Sequence, residues 1–156
     1  MAATGPKTGH SMKLYRNTGT IVSPTWVELT EVGDVSIPDM SRGMAELKRR
    51  ASDFTKNIAS LIQSIAIEFR LWHGMDATNF DALQAAFFAG TVEQWAIMNG
   101  DIAVSGTEGL TMPVLIEQFP WDQPLEDVSG HDVRVVAAYM EDANSTEVDP
   151  AWLVVP

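Results

Sequence analysis

Residues 62–72 read Ile-Gln-Ser-Ile-Ala-Ile-Glu-Phe-Arg-Leu-Trp, and this stretch decides the fold class. Ile65, Ile67, Phe69 and Leu71 alternate with Ser64, Ala66, Glu68 and Arg70, a period of two that puts the first set on one face of a β-strand. That face belongs in a core. The other is small and polar, and meets solvent, a lumen or a neighbour.

Outward from this strand the chain alternates between short extended runs and turn signals. Trp26-Val27-Glu28-Leu29-Thr30 reads as a strand, and Gly33-Asp34 and Pro38-Asp39 bracket another at Val35 to Ile37. On the C-terminal side comes a helix over about 76–89. Asp76 or Thr78 caps its start, and Thr78-x-x-Asp81 is a variant capping box. Phe80, Leu83 and Phe87 form its apolar stripe, and Gly90 ends it. Thr91 to Asn99 returns to strand, closed by a hairpin-type turn at Asn99-Gly100-Asp101. Met112 to Phe119 is a long strand candidate, bent by Pro120 to Pro124. Leu125 to Val128 offers a resumed pairing, and His131 to Met140 alternates again. Six to eight strands in hairpin-like succession with one helix predict a mainly β fold: an antiparallel two-sheet sandwich or barrel with a flanking helix.

Three segments stand apart from that domain, which spans 14–140. Residues 1–13 are small, Gly-rich and aperiodic, an N-terminal arm with no apolar stretch of the signal-peptide kind. Residues 39–60 carry five basic residues (Arg42, Lys48, Arg49, Arg50, Lys56) against three acidic ones. Met44, Leu47 and Ala51 have helical spacing, yet a long hairpin excursion fits equally well. Residues 141–156 form a C-terminal arm, acidic at first and then apolar at Ala151 to Pro156, and an apolar tail must cover something.

Charge follows the same division. The net charge is −11. Residues 1–73 hold nine Lys/Arg against seven Asp/Glu, whereas 74–156 hold one, Arg134, against fourteen. Such a balance opposes non-specific nucleic-acid binding, which needs basic stripes. It fits either simple solubility or a basic segment that docks on the acidic surface of another copy. There are no cysteines, hence no disulfide framework or thiolate metal site. No apolar run reaches the roughly 18 residues a membrane span needs.

Catalytic signatures are missing. There is no phosphate-binding glycine loop, no nucleophile elbow and no paired-histidine zinc motif. Ser105-Gly106-Thr107-Glu108-Gly109 leads into a strand rather than a helix, so it reads as a connection. His10, His73 and His131 are scattered, and His131 and Asp132, adjacent on a strand, point to opposite faces. The paired acids Glu126-Asp127 and Glu141-Asp142 read as solvated turns. No cofactor or metal is expected. Five tryptophans remain, of which Trp121 and Trp152, in bent or terminal segments, suit subunit anchoring.

The order of these segments resembles that of phage major tail tube proteins. Leu14-Tyr15-Arg16-Asn17-Thr18-Gly19, Pro24-Thr25-Trp26-Val27-Glu28-Leu29 and Val32-Gly33-Asp34-Val35-Ser36-Ile37 look like the family's opening. Arg49-Arg50-Ala51-Ser52-Asp53-Phe54, Ile67-Glu68-Phe69, Phe80-x-x-Leu83-x-x-Ala86-Phe87 with Gly90-Thr91-Val92-Glu93, Pro124-Leu125-Glu126-Asp127 and Pro150-Ala151-Trp152 follow in order. The likeness covers about 14–153; each motif is short and structural. It implies a siphovirus-type tail subunit in the virion, assembled in the host cytoplasm, with six copies closing a ring and rings stacking into a hollow tube for DNA. The implied partners are further copies and the tape measure, tail tip and tail terminator proteins; no membrane is involved. By this resemblance Arg42, Lys48, Arg49, Arg50 and Lys56 lie in the loop that reaches the next ring. Trp121, Trp152, Leu153 and Val154 serve subunit contacts. Glu68, Arg70, Asp132 and Arg134, on the polar faces of two strands, are the lumen candidates. The rival readings are the inner tube of a contractile tail or secretion-like injection machine, and a small β-barrel binding module or enzyme.

Overall fold

The computed structural model describes residues 12–36, 40–48, 50, 55–62, 65–74 and 77–156. Among these residues ten strands and one helix run in the order β1 (Lys13–Asn17), β2 (Trp26–Glu28), β3 (Val32–Ser36), β4 (Arg42–Leu47), β5 (Lys56–Ile62), β6 (Ala66–Trp72), α1 (Ala77–Ala89), β7 (Glu93–Met98), β8 (Glu108–Gln118), β9 (Gly130–Ala137) and β10 (Ala151–Val154). Two antiparallel sheets result. The main one has the strand order β2-β1-β7-β8-β9-β6-β3, with β10 added to β8; β4 and β5 form a separate pair.

The main sheet is rolled, and its connectivity requires this. Its two edge strands, β2 and β3, are joined only by Leu29, Thr30 and Glu31. Laid flat, the edges of seven strands would stand roughly 29 Å apart at about 4.8 Å per spacing. The four Cα steps from Glu28 to Val32 reach at most about 15 Å. Curling brings the edges together: the Leu29 amide donates to Leu14 O at one edge, and Glu31 O accepts from the Trp72 amide at the other.

The inward face fills the roll. Ile65, Ile67, Phe69 and Leu71 are all buried, as their alternation predicts, and meet Trp95, Ile97, Leu110, Met112, Val114, Ile116, Val133 and Val135. Leu83 and Ala86 of α1 close this core, with Phe80 and Phe87 at its margin. The helix ends as its glycine dictates. Gly90 has φ 63°, its amide donates to Phe87 O, and the Thr91 amide donates to Ala86 O, the paired bonds of a Schellman cap.

Several local expectations need correction. In the segment 39–60, open between helix and hairpin, the described residues take the hairpin alternative, Arg42–Leu47 pairing antiparallel with Lys56–Ile62. The run at 62–72 is two elements, because Ile62 ends β5 and β6 begins at Ala66. α1 begins at Ala77, so Thr78 lies within it and the capping box does not form; Asp76 lies outside the described residues. Asn99-Gly100-Asp101 is no tight turn. Residues 99–107 form a longer connection, closed where the Asn99 amide donates to Glu108 O and Asn99 Oδ1 accepts from the Glu108 amide. Asn99 thus satisfies the ladder at the strand ends and lets the loop run on. β8 starts earlier than expected, at Glu108, because β7 pairs with it from Gly109 and β10 from Glu108. Leu125 to Val128 adds no strand: Leu125 is almost fully exposed, and only Asp122 and Gly130 pair nearby. β9 ends at Ala137, leaving Tyr139 exposed.

Candidate assembly surfaces

Glu68, Arg70, Asp132 and Arg134 come together on the outer face of β6 and β9. The register sets Glu68 opposite Arg134 and Arg70 opposite Asp132, so each cross-strand pair joins opposite charges. Arg70 Nη1 lies 3.1 Å from Asp132 Oδ1, Nη2 lies 3.2 Å from Asp122 Oδ2, and its guanidinium sits 5.1 Å from the Trp72 ring centroid. The hydrogen bond to Asp122, with help from Asp132, raises the Arg70 pKa further. Arg134 Nη1 donates to Glu68 Oε1 at 2.8 Å. Its Nε lies 2.7 Å from Glu117 Oε2 but off the line of the N–H, so charge attraction rather than an aimed hydrogen bond holds that contact. Asp34, Ser36 and Gln118 complete the walls of a groove of about 370 Å³. Around it five carboxylates (Asp34, Glu68, Glu117, Asp122, Asp132) face two arginines, so the surface is acidic. Asp34, Glu117 and Asp122 were not predicted here. Sequence shows them only as separate acids, and it is strand register that gathers them.

The basic segment is the β4–β5 hairpin. Arg42 pairs with Ile62 and Leu47 with Lys56 across it. Lys48 reaches Glu46 at 3.1 Å, both well exposed, and Arg42 Nη1 donates to Ser60 O at 3.4 Å. Arg50 and Lys56 are exposed; Arg49 lies outside the described residues. Every residue of β5 is exposed, Leu61 by 84%. Met40, Met44, Ile58 and Ile62 are exposed too. A lone two-stranded ribbon in water is marginal. This one combines positive charge with an uncovered apolar surface, the composition of a contact site.

The C-terminal tail folds onto its own domain. Ala151 to Val154 pair with Thr111 to Glu108, and Leu153 and Val155 turn inward onto Tyr15, Ala96 and Met98, where Trp26 and Ile102 also pack. Leu153, expected to serve a neighbour, is thereby committed to a second, smaller core. Trp152 and Val154 point the other way and stay exposed; the Trp152 indole donates to Glu108 Oε2 at 3.2 Å. Trp121 is exposed by 57%, and its indole donates to Ser129 Oγ at 2.9 Å.

Two further clusters escaped the sequence. Arg16 and Glu93 make a two-pronged pair at 2.8 and 2.6 Å, largely buried, with Glu93 also accepting from the Trp95 indole. His73 Nδ1 lies 3.2 Å from His131 Nε2, although 58 residues separate them. Only pairing of Leu71 with His131 brings the rings together. Among the described residues no three His, Cys, Asp or Glu side chains cluster as metal ligands, and no helix is long and apolar enough to cross a membrane.

No protein-family model matches the chain, and no curated protein matches it in sequence. Solved structures do match in fold. A chain of the virion of a native gene transfer agent particle superposes with a TM-score of 0.67 at 10% identity, covering 96% of this chain and 100% of that one. The SPP1 tail tube gives 0.65 at 10% identity, over 96% of this chain and 81% of that one. The sheath–tube complex of an extracellular contractile injection system, PVC, in its extended state gives 0.65 at 11% identity, over 99% and 95%. At such identities the likeness is one of fold, and it spans 96–99% of this chain: this protein has the tail-tube fold.

Proposed function

We propose that the chain is the repeating subunit of a tail-type tube, a structural virion protein without catalytic chemistry. The observation that carries this reading is the β4–β5 hairpin. Among the described residues it pairs with no strand of the main sheet, it exposes every residue of β5, and it belongs to a fold shared over 96–99% of this chain with chains of three tube-bearing assemblies. Copies close into hexameric rings, and a similar structure is a gene transfer agent tail refined with C6 symmetry. Closure buries sheet edges that would otherwise invite uncontrolled pairing. Arg42, Lys48, Arg49, Arg50 and Lys56 then reach an acidic surface of the adjacent ring, while Trp121, Trp152 and Val154 contact neighbours within or between rings.

The acidic groove of β6 and β9 lines the bore. Five carboxylates against two arginines repel phosphate, so DNA passes without being held. Tail terminator, tail tip and tape measure proteins bound the tube's length and ends, and the subunits assemble in the host cytoplasm before residing in the virion tail. A likeness to a sheath/tube terminator structure of an injection system supports the terminator contact (TM-score 0.66, 10% identity, 98% of this chain and 100% of that one).

Negative-stain microscopy of the purified full chain tests the reading, with rings or tubes of uniform diameter expected. A protein that stays monomeric at every concentration, with tail-completion partners supplied, would sink it. The injection-system likeness supports a second reading, an inner tube surrounded by a sheath. Co-sedimentation of assembled tubes with a sheath protein encoded beside this chain distinguishes the two.

A further inference from the structure

We propose that His73 and His131 form a proton-operated latch that holds residues 119–130 against the end of the β6–β9 pair, closed while at most one proton is added to the two neutral rings and released when each has gained one. His131 is 2% exposed, whereas His73 is open to solvent. Their nitrogens meet at 3.2 Å inside a ring of aromatic side chains. Phe80 of α1 stands edge-on to His73, Phe119 stacks on His131 with centroids 5.0 Å apart, and Trp121 lies 4.9 Å from His73. The loop is fastened by bonds that converge on this pair. The His73 amide donates to Ser129 O, and Asp122 and Gly130 exchange amide bonds of 2.9 and 3.1 Å. The Trp121 indole donates to Ser129 Oγ, which in turn donates to Asp122 O.

A 3.2 Å contact between two ring nitrogens needs one N–H and one lone pair. The Pro120 backbone favours a proton on the His131 ring, and that ring's Nδ1 is buried with no aligned hydrogen-bond partner. With Nδ1 protonated, His131 Nε2 is the acceptor and His73 Nδ1–H the donor, a tautomer assigned from the bonding pattern. A proton at the other nitrogen of the His73 ring, Nε2, leaves the contact intact, whereas one added at His131 Nε2 sets two N–H groups face to face among apolar rings. Burial lowers the His131 pKa, and the His73 charge lowers it further. The charged groups around the pair are Arg70 of β6, which opposes protonation, Asp132 of β9, which favours it, and Asp122 of the loop, which holds Arg70. From α1 and the end of β8, among the described residues, the phenyl rings of Phe80 and Phe119 face the pair.

A histidine held below its ordinary value of about 6.5 stabilises the closed form above that pH, and this contribution is lost as pH falls through the lowered value. Hydrogen exchange read by mass spectrometry on the dispersed full chain tests the latch. After correction for intrinsic exchange rates, protection over 119–131 should fall about tenfold or more between pH 7 and 5, while 108–116 keeps its protection. His131→Phe fills the ring's place without a proton, so its loop should stay protected throughout. His73→Asn offers either an N–H or an oxygen to the buried ring and should also stay closed, which decides the matter should the phenylalanine variant fail to fold. Wild-type protection that ignores pH, or falls equally in both variants, or falls together with 108–116, overturns the proposal. Tube formation plays no part in this test.

Discussion

Gly109 is a residue whose side chain the fold has no room for. It sits in β8 between β7 and β10, and a Cβ there would lie 1.9 Å from Ile97 O, a backbone atom that cannot move aside without breaking the ladder. Gly109→Ala should therefore destabilise the dispersed chain by roughly 3 kcal/mol, as read by urea unfolding. The Arg16–Glu93 pair sets a different constraint. Both groups are largely buried, and Glu93 also satisfies the Trp95 indole. Glu93→Ala strands a guanidinium and an indole N–H and should cost about 3 kcal/mol or more. The double variant Arg16→Leu/Glu93→Leu removes both charges and should lie closer to wild type in the same assay; a double variant as unstable as the single one would show that the pair itself stabilises the fold.

Among the elements, α1 and the hairpin behave as opposites. The helix is anchored by Leu83 and Ala86 and closed by Gly90, so substitution at Gly90 forces a side chain into φ 63°. Gly90→Ala should cost about 1 kcal/mol, visible as a Tm a few degrees lower. The β4–β5 hairpin is anchored by little beyond its own pairing. Charge reversal at Arg42, Lys48, Arg50 and Lys56 should leave the Tm of the dispersed chain within about 2 °C of wild type, since surface substitutions rarely exceed 0.5 kcal/mol. The same variant should impair polymerisation in a light-scattering assay, and unimpaired polymerisation would remove these residues from the ring contact.

For the whole molecule the decisive feature is a single sheet rolled until β2 and β3 lie three residues apart. That roll makes an inner core and leaves an outer face, part of which the C-terminal strand covers. Truncation after Asp149 should uncover Tyr15, Ala96 and Met98 and free the β10-facing edge of Glu108 to Thr111, which β7 still pairs from the other side. The expected result is a lower Tm and binding of a hydrophobic dye by the dispersed chain. A truncated chain with wild-type Tm and no dye binding would mean that the tail matters only between subunits.

The sequence by itself determined what is local. Alternation at 65–71 and 133–135 identified the buried faces, because a strand's period of two follows from backbone geometry whatever the strand pairs with. Gly90 announced the helix end for the same kind of reason, a conformation that other residues adopt only with strain. What pairs with what was not legible. Met44, Leu47 and Ala51 fit a helix as well as a hairpin until β4 meets β5, and 58 residues hide the contact of His73 with His131. The acidic groove, too, exists only through register: a one-residue slip of β9 against β6 would turn its charges to the other face. Tertiary structure decided these points because they depend on contacts distant in the chain, and composition and periodicity carry no record of them.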